Sequence, residues 1–261
     1  MNGFCKLLWP LVFLGLLCGA GSARADEAAL AAAVNKAGYQ RMLSQRIVKA
    51  YCQVGLEVMP EASATQLAES IGAYERNLSD LQTLVPDQYS RELIASLNRQ
   101  WEPFKVVASG PVTRAGAEVL LVRGERLLEA AENLTRYLET TSETSIGYLV
   151  NLSGRQRMLS QRIAKFYMLH AWGFETILVN EEIEAARNEF SAALAKLVDA
   201  PENTVDITEE LNSVRLQWDW FQAALALEGA YSYRMVVADA SESILGHMDR
   251  ITRLYEKLAR R

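Results

Sequence analysis

The stretch RMLSQRI stands at Arg41 to Ile47 and again at Arg157 to Ile163. Its flanks repeat too: NKAGYQRMLSQRIVKAY starts at Asn35 and NLSGRQRMLSQRIAKFY at Asn151. Gly38 pairs with Gly154 at a spacing of 116 residues, and the same spacing joins Tyr74 to Phe190, Leu78 to Leu194 and Leu81 to Leu197. After one inserted residue, QWEPF at Gln100 pairs with QWDWF at Gln217, and LTR at Leu134 with ITR at Ile251. So small a drift over so long a stretch is the mark of one structural unit used twice. Whatever the first half folds into, the second must fold into as well.

Each unit reads as helices. Apolar residues recur at three- and four-residue spacing, Ala and Leu are abundant, and alternating strand patterns are missing. Turn signals cut each unit into four. In the first they are Met59-Pro60, Val85-Pro86-Asp87 and Ser109-Gly110-Pro111. In the second they are Gly173, Asp199-Ala200-Pro201 through Thr208, and Glu228-Gly229. The expected fold is all-α: two tandem antiparallel four-helix bundles, over 26–140 and 141–261. Between them Thr140 to Ser145 reads TTSETS, a cluster that favours caps over helix interiors and predicts a break.

Residues 1–25 stand apart. Lys6 precedes an apolar run from Leu7 to Leu17, and Ala23-Arg24-Ala25 supplies the small residues that a signal peptidase reads. The expectation is a cleaved signal peptide and a periplasmic protein, with a retained N-terminal anchor as the alternative. Cys5 and Cys18 leave with the signal, so Cys52 remains without a disulfide partner. Loss of Lys6 and Arg24 leaves 25 basic against 32 acidic side chains, net −7, which argues against nucleic acid as a partner.

The first helix of each unit carries two stripes. Leu43, Ile47, Ala50 and Val54 share one face, matched by Leu159, Ile163 and Phe166, and should pack into the unit's own bundle. The opposite stripe reads Val34, Gly38, Arg41, Gln45, Val48, Cys52, and in the second copy Val150, Gly154, Arg157, Gln161, Ala164, Met168. Its spacing suits contact with another helix, and a glycine one turn before each arginine allows close approach. Charge is biased as well: Ala28 to Leu56 and Thr144 to Phe174 contain no Asp or Glu. No motif arginine has an acid three or four positions away, so the sequence reads as keeping these cations unpaired for an anion.

Arginine suits a planar oxyanion, because its rigid fork donates two parallel hydrogen bonds. With the first helices side by side, Arg41 and Arg157 would close on one ion, assisted by Gln45, Gln161 and the backbone at Gly38 and Gly154. Arg46 and Arg162 point elsewhere round the helix and are assigned either structural roles or the support of the ligand-binding residues, as are Asn35 and Asn151. No enzyme is expected: His170 and His247 are the only histidines, and no haem or di-metal motif accompanies them. Trp101 and Trp218 recur at one repeat position and read as core. No metal or cofactor is implied.

At these residues the chain resembles a known family. NKAGYQRMLSQRI and NLSGRQRMLSQRI resemble the signature box in the sensor domain of NarX-type nitrate/nitrite sensor kinases. They are also similar to the N-terminal domain of type IV pili methyl-accepting chemotaxis transducers, the PilJ-type domain. The resemblance implies a periplasmic four-helix bundle that dimerises and binds nitrate between paired first helices, the arginine after the glycine being the main ligand. Carried over by position, it implicates Gly38 with Arg41 and Gly154 with Arg157. It further implies nitrate or nitrite as the ligand and a membrane-bound receptor or sensor kinase as partner. Two units in one chain imply a monomeric pseudo-dimer or a homodimer. The copies differ inside the box, where Tyr39 faces Arg155 and Lys36 faces Leu152.

Overall fold

Asp87, Thr113, Thr144 and Thr204 each accept the backbone N–H three residues on, and each starts a helix. These caps satisfy donors that a helix N-terminus otherwise leaves open, each contributing about 1 kcal/mol. The computed structural model describes residues 18–85, 87–174, 177–226 and 231–260. They form eight α-helices with no strand among the described residues, so the chain is all-α. The helices are α1 (Cys18–Gly55), α2 (Pro60–Leu84), α3 (Gln88–Ala108), α4 (Arg114–Ser142), α5 (Ser145–Ala171), α6 (Ile177–Val198), α7 (Val205–Leu225) and α8 (Tyr231–Leu258).

Of the signal segment read over 1–25, residues 1–17 lie outside the described residues, and α1 is already helical at Cys18. No described helix is long and apolar enough to cross a membrane. The Glu228-Gly229 turn signal also falls outside the described residues. The break within Thr140 to Ser145 is present: Glu143 takes a left-handed φ of 49° and Thr144 caps the next helix.

Within the first repeat α2 and α4 flank α1; within the second α6 and α8 flank α5. The most extensive helix pairing joins the repeats, α1 against α5. The two run parallel. Arg162 donates to Gln45, and a side chain on Gly55 would meet the Trp172 ring, so contacts follow the repeat spacing along the seam. Matched aromatic stacks hold each repeat from inside: Tyr74 on Trp101 with centroids 3.9 Å apart, and Phe190 on Trp218 at 4.1 Å. Such a pair contributes about 0.5–1.5 kcal/mol beyond its buried area. Both tryptophans are core residues.

The two-stripe reading of the first helices is too narrow. From Gln40 to Gln53 every residue except Arg46 is buried, and from Ser153 to Leu169 every one except Arg155 and Arg162. A helix enclosed by its own bundle on one side and by the opposite repeat on the other has no solvent face. Gln40, Ser44, Lys49 and Gln53 are therefore interior, although their polarity suggests otherwise.

Candidate functional site

Arg41 and Arg157 are both fully buried at the α1–α5 seam. Glycine makes this possible. Arg41 Nη2 lies 3.1 Å from where a Cβ on Gly38 would stand and 3.7 Å from one on Gly154; Arg157 Nη2 lies 3.1 Å from the latter and 3.8 Å from the former. Both guanidiniums thus occupy the space that two absent side chains leave, one from each repeat. Burial lowers the pKa of Arg41 against the opposing pull of Glu132, and the nearby Arg155 and Arg157 lower it further.

Each guanidinium is held at two corners. Arg41 Nη1 donates to Glu132 of α4 at 2.7 Å, and its Nη2 crosses the seam to Asn151 Oδ1 at 2.6 Å. Arg157 repeats the arrangement, Nη1 to Asp249 of α8 at 2.7 Å and Nη2 to Asn35 Oδ1 at 2.8 Å. The asparagines are oriented in turn, Asn35 by Glu256 at 2.7 Å and Asn151 by Glu139 at 2.5 Å. The Nε of Arg41 and the Nε of Arg157 are buried and have no partner among the protein groups. A buried donor left open costs about 1–3 kcal/mol. The same open donor at both symmetric positions is the most ligand-like feature of the seam.

One to two turns further on lies a second charged layer. Lys49, fully buried, donates to Glu242 at 2.6 Å, which also takes the fork of Arg46, with Nη2 at 2.6 Å. In the other repeat Lys165 donates to Glu125 at 2.6 Å, and Arg162 to Glu125 at 2.8 Å and to Glu182 at 2.7 Å. Burial opposes ionisation of Glu242, yet Lys49 and Arg46 overcome it and hold the carboxyl down to about 2. Burial likewise pulls Lys165 down to about 8 against the pull of Glu125. The Cys52 thiol is pushed up to about 12 by burial and is not a nucleophile here.

These contacts correct the expectation of unpaired cations. All four motif arginines have acid partners, supplied by helices distant in sequence rather than by their own. The absence of acids around the two motifs reflects packing: the acids come from α4 and α8, with Glu182 of α6 as a further partner of Arg162. Asn35 and Asn151, expected to be structural or to support the ligand-binding residues, touch the arginines directly. Gln45 and Gln161, expected beside the anion, make their contacts in the second layer, Gln45 with Arg162 and Ser44, Gln161 with the carbonyl of Ser241. Sequence reasoning missed the acids altogether, though a signal was present. Glu125, Glu132 and Glu139 recur every seven residues on α4, and Glu242, Asp249 and Glu256 do the same on α8.

Among the described residues no group of three or more His, Cys, Asp or Glu side chains is placed to hold a metal ion. No curated protein and no solved structure matches the chain significantly. A family model does, over residues 25–114 and 140–261, and each matched segment contains one copy of the arginine motif. The two buried arginine helices thus lie within what the family describes, and the chain belongs to the family of type IV pili methyl-accepting chemotaxis transducer N-terminal (PilJ) domains, a sensor-type signalling class.

Proposed function

We propose that this chain is a periplasmic ligand-binding protein that holds one small oxyanion, nitrate or nitrite, between Arg41 and Arg157. Two tandem domains would supply one arginine each, so that a single polypeptide forms a pseudo-dimer, exported by a cleaved signal peptide. The bound state would be presented to a membrane-bound receptor or sensor kinase. One observation carries this reading: two buried guanidiniums face one another over two glycines, and each retains an unpartnered Nε–H. The acids at Nη1 and the asparagines at Nη2 fix both planes in advance, so little orientation remains to be lost on binding. They also neutralise most of the positive charge, which favours a monovalent ion over sulfate.

A second reading has its own support. Because the motif arginines and both buried lysines already have acid partners, the same layers suit a helical adaptor that binds no small molecule. Calorimetric titration of the purified protein with nitrate, nitrite, chloride and sulfate separates the two. Saturable heat with nitrate or nitrite alone supports the sensor; silence with all four supports the adaptor.

A further inference from the structure

The two ends of the arginine seam differ on their outer sides. Between α1 and α8 a pocket of about 330 Å³ reaches Arg157, lined also by Asn35, Lys36, Tyr39, Asp249 and Arg253. Tyr39 stands with its ring 5.5 Å from the Arg157 guanidinium carbon. At the matching position by Arg41 the residue is Arg155, which ties the outside of the site together. Its Nη1 pairs with Glu132 at 3.0 Å, and its Nε pairs with Glu189 of α6. Leu152 stands where Lys36 does in the first repeat, and Ala193 stands where Asn77 does, so two polar groups of the lining are replaced by apolar ones at that end. One repeat has a mouth and the other a clasp.

The mouth is charged and lightly held. Lys36 pairs with Asp80 at 2.6 Å and Arg253 with Asp249 at 2.6 Å, and in both pairs at least one partner is more than half exposed. Exposed pairs contribute little, so an arriving anion can replace Asp80 on Lys36 at small cost, while Asp249 stays on Arg157. The cations of the lining, Lys36, Arg157 and Arg253, are balanced by Asp80, Asp249 and Glu256, so release of Lys36 from Asp80 is what leaves a cation for an arriving anion.

We infer that the seam has a single door: an anion reaches the arginine pair through the α1–α8 pocket beside Tyr39, and Arg155 closes the Arg41 end. The inference rests on the oxyanion reading and adds to it a direction of access that the repeat symmetry alone would not supply. Substitutions at the two ends then have opposite effects. Tyr39→Arg places a clasp at the open end, within reach of Asp249, and slows exchange. Arg155→Tyr removes the clasp at the closed end and does not slow it.

The test follows exchange of isotope-labelled nitrate by NMR line broadening in the wild-type chain and both variants, with circular dichroism and thermal melting to establish folding. Tyr39→Arg is expected to lower the exchange rate by roughly tenfold or more, and Arg155→Tyr to leave it equal or faster. Should Tyr39→Arg not fold, Lys36→Leu with Arg253→Leu takes its place. Removing both rim charges should slow association several-fold and flatten its salt dependence. A wild-type signal that neither mouth variant slows, or that Arg155→Tyr slows instead, overturns the single door and leaves the oxyanion reading standing. No saturable nitrate signal in the wild-type chain overturns both.

Discussion

Arg41 donates to Asn151 across the repeat boundary at 2.6 Å, and Arg157 returns the contact to Asn35 at 2.8 Å. Each repeat's central cation is therefore aimed by the other repeat's asparagine. Asn151→Ala should leave Arg41 Nη2 buried without its nearest acceptor and lower stability by about 1–3 kcal/mol. Asn35→Ala should act alike on Arg157. Urea unfolding measures the loss, and anion affinity should fall with it, because an arginine free to rotate no longer holds its open Nε–H in a fixed place.

Charge alone does not account for the site. Arg41→Lys keeps the charge but cannot hold Glu132 and Asn151 at once with a planar fork and leaves no counterpart of the Nε–H, so nitrate affinity should drop by roughly tenfold or more. Arg46→Lys alters a cation of the second layer and should change affinity much less. Equal losses in a titration of the two variants would mean that general positive potential, rather than fork geometry, holds the ligand.

Glu242 joins the repeats by a different route, carrying Lys49 and Arg46 of the first repeat on α8 of the second. Its folded pKa of about 2 lies below its ordinary 4.5. The unfolded chain therefore binds the proton first as pH falls, and the stabilisation present above about 4.5 is lost progressively towards 2. Wild-type unfolding free energy should fall by about 2 kcal/mol between pH 5 and pH 3 from this group. Glu242→Gln should lack that component. At neutral pH the variant should already be about 3–5 kcal/mol less stable, since a fully buried Lys49 loses its counter-charge. Chemical denaturation at a series of pH values reads both effects.

The local grammar of the chain was legible. Prolines and glycines marked most of the helix boundaries, and TTSETS marked the break at Glu143, because caps and turns depend on a few adjacent residues. The internal repeat correctly singled out the two first helices as the pair that meets. What the sequence hid was the identity of the partners. Glu132 lies 91 residues from Arg41, and Glu242 lies 196 from Arg46, so no reading confined to one helix could connect them. The full burial of Lys49 and Lys165 was hidden for the same reason: each is enclosed by helices from both repeats.

The central claim is that the duplication builds one shared site, and calorimetric stoichiometry tests it most directly. Nitrate titrated into the purified chain should saturate at about one ion per polypeptide. Arg41→Ala and Arg157→Ala should each remove most binding, because losing a charge-assisted hydrogen bond costs about 1.5–3 kcal/mol, and the double variant should be little worse than either single one. Two ions per chain in the wild type, with each single variant halving the count and leaving the remaining affinity intact, would contradict the shared site.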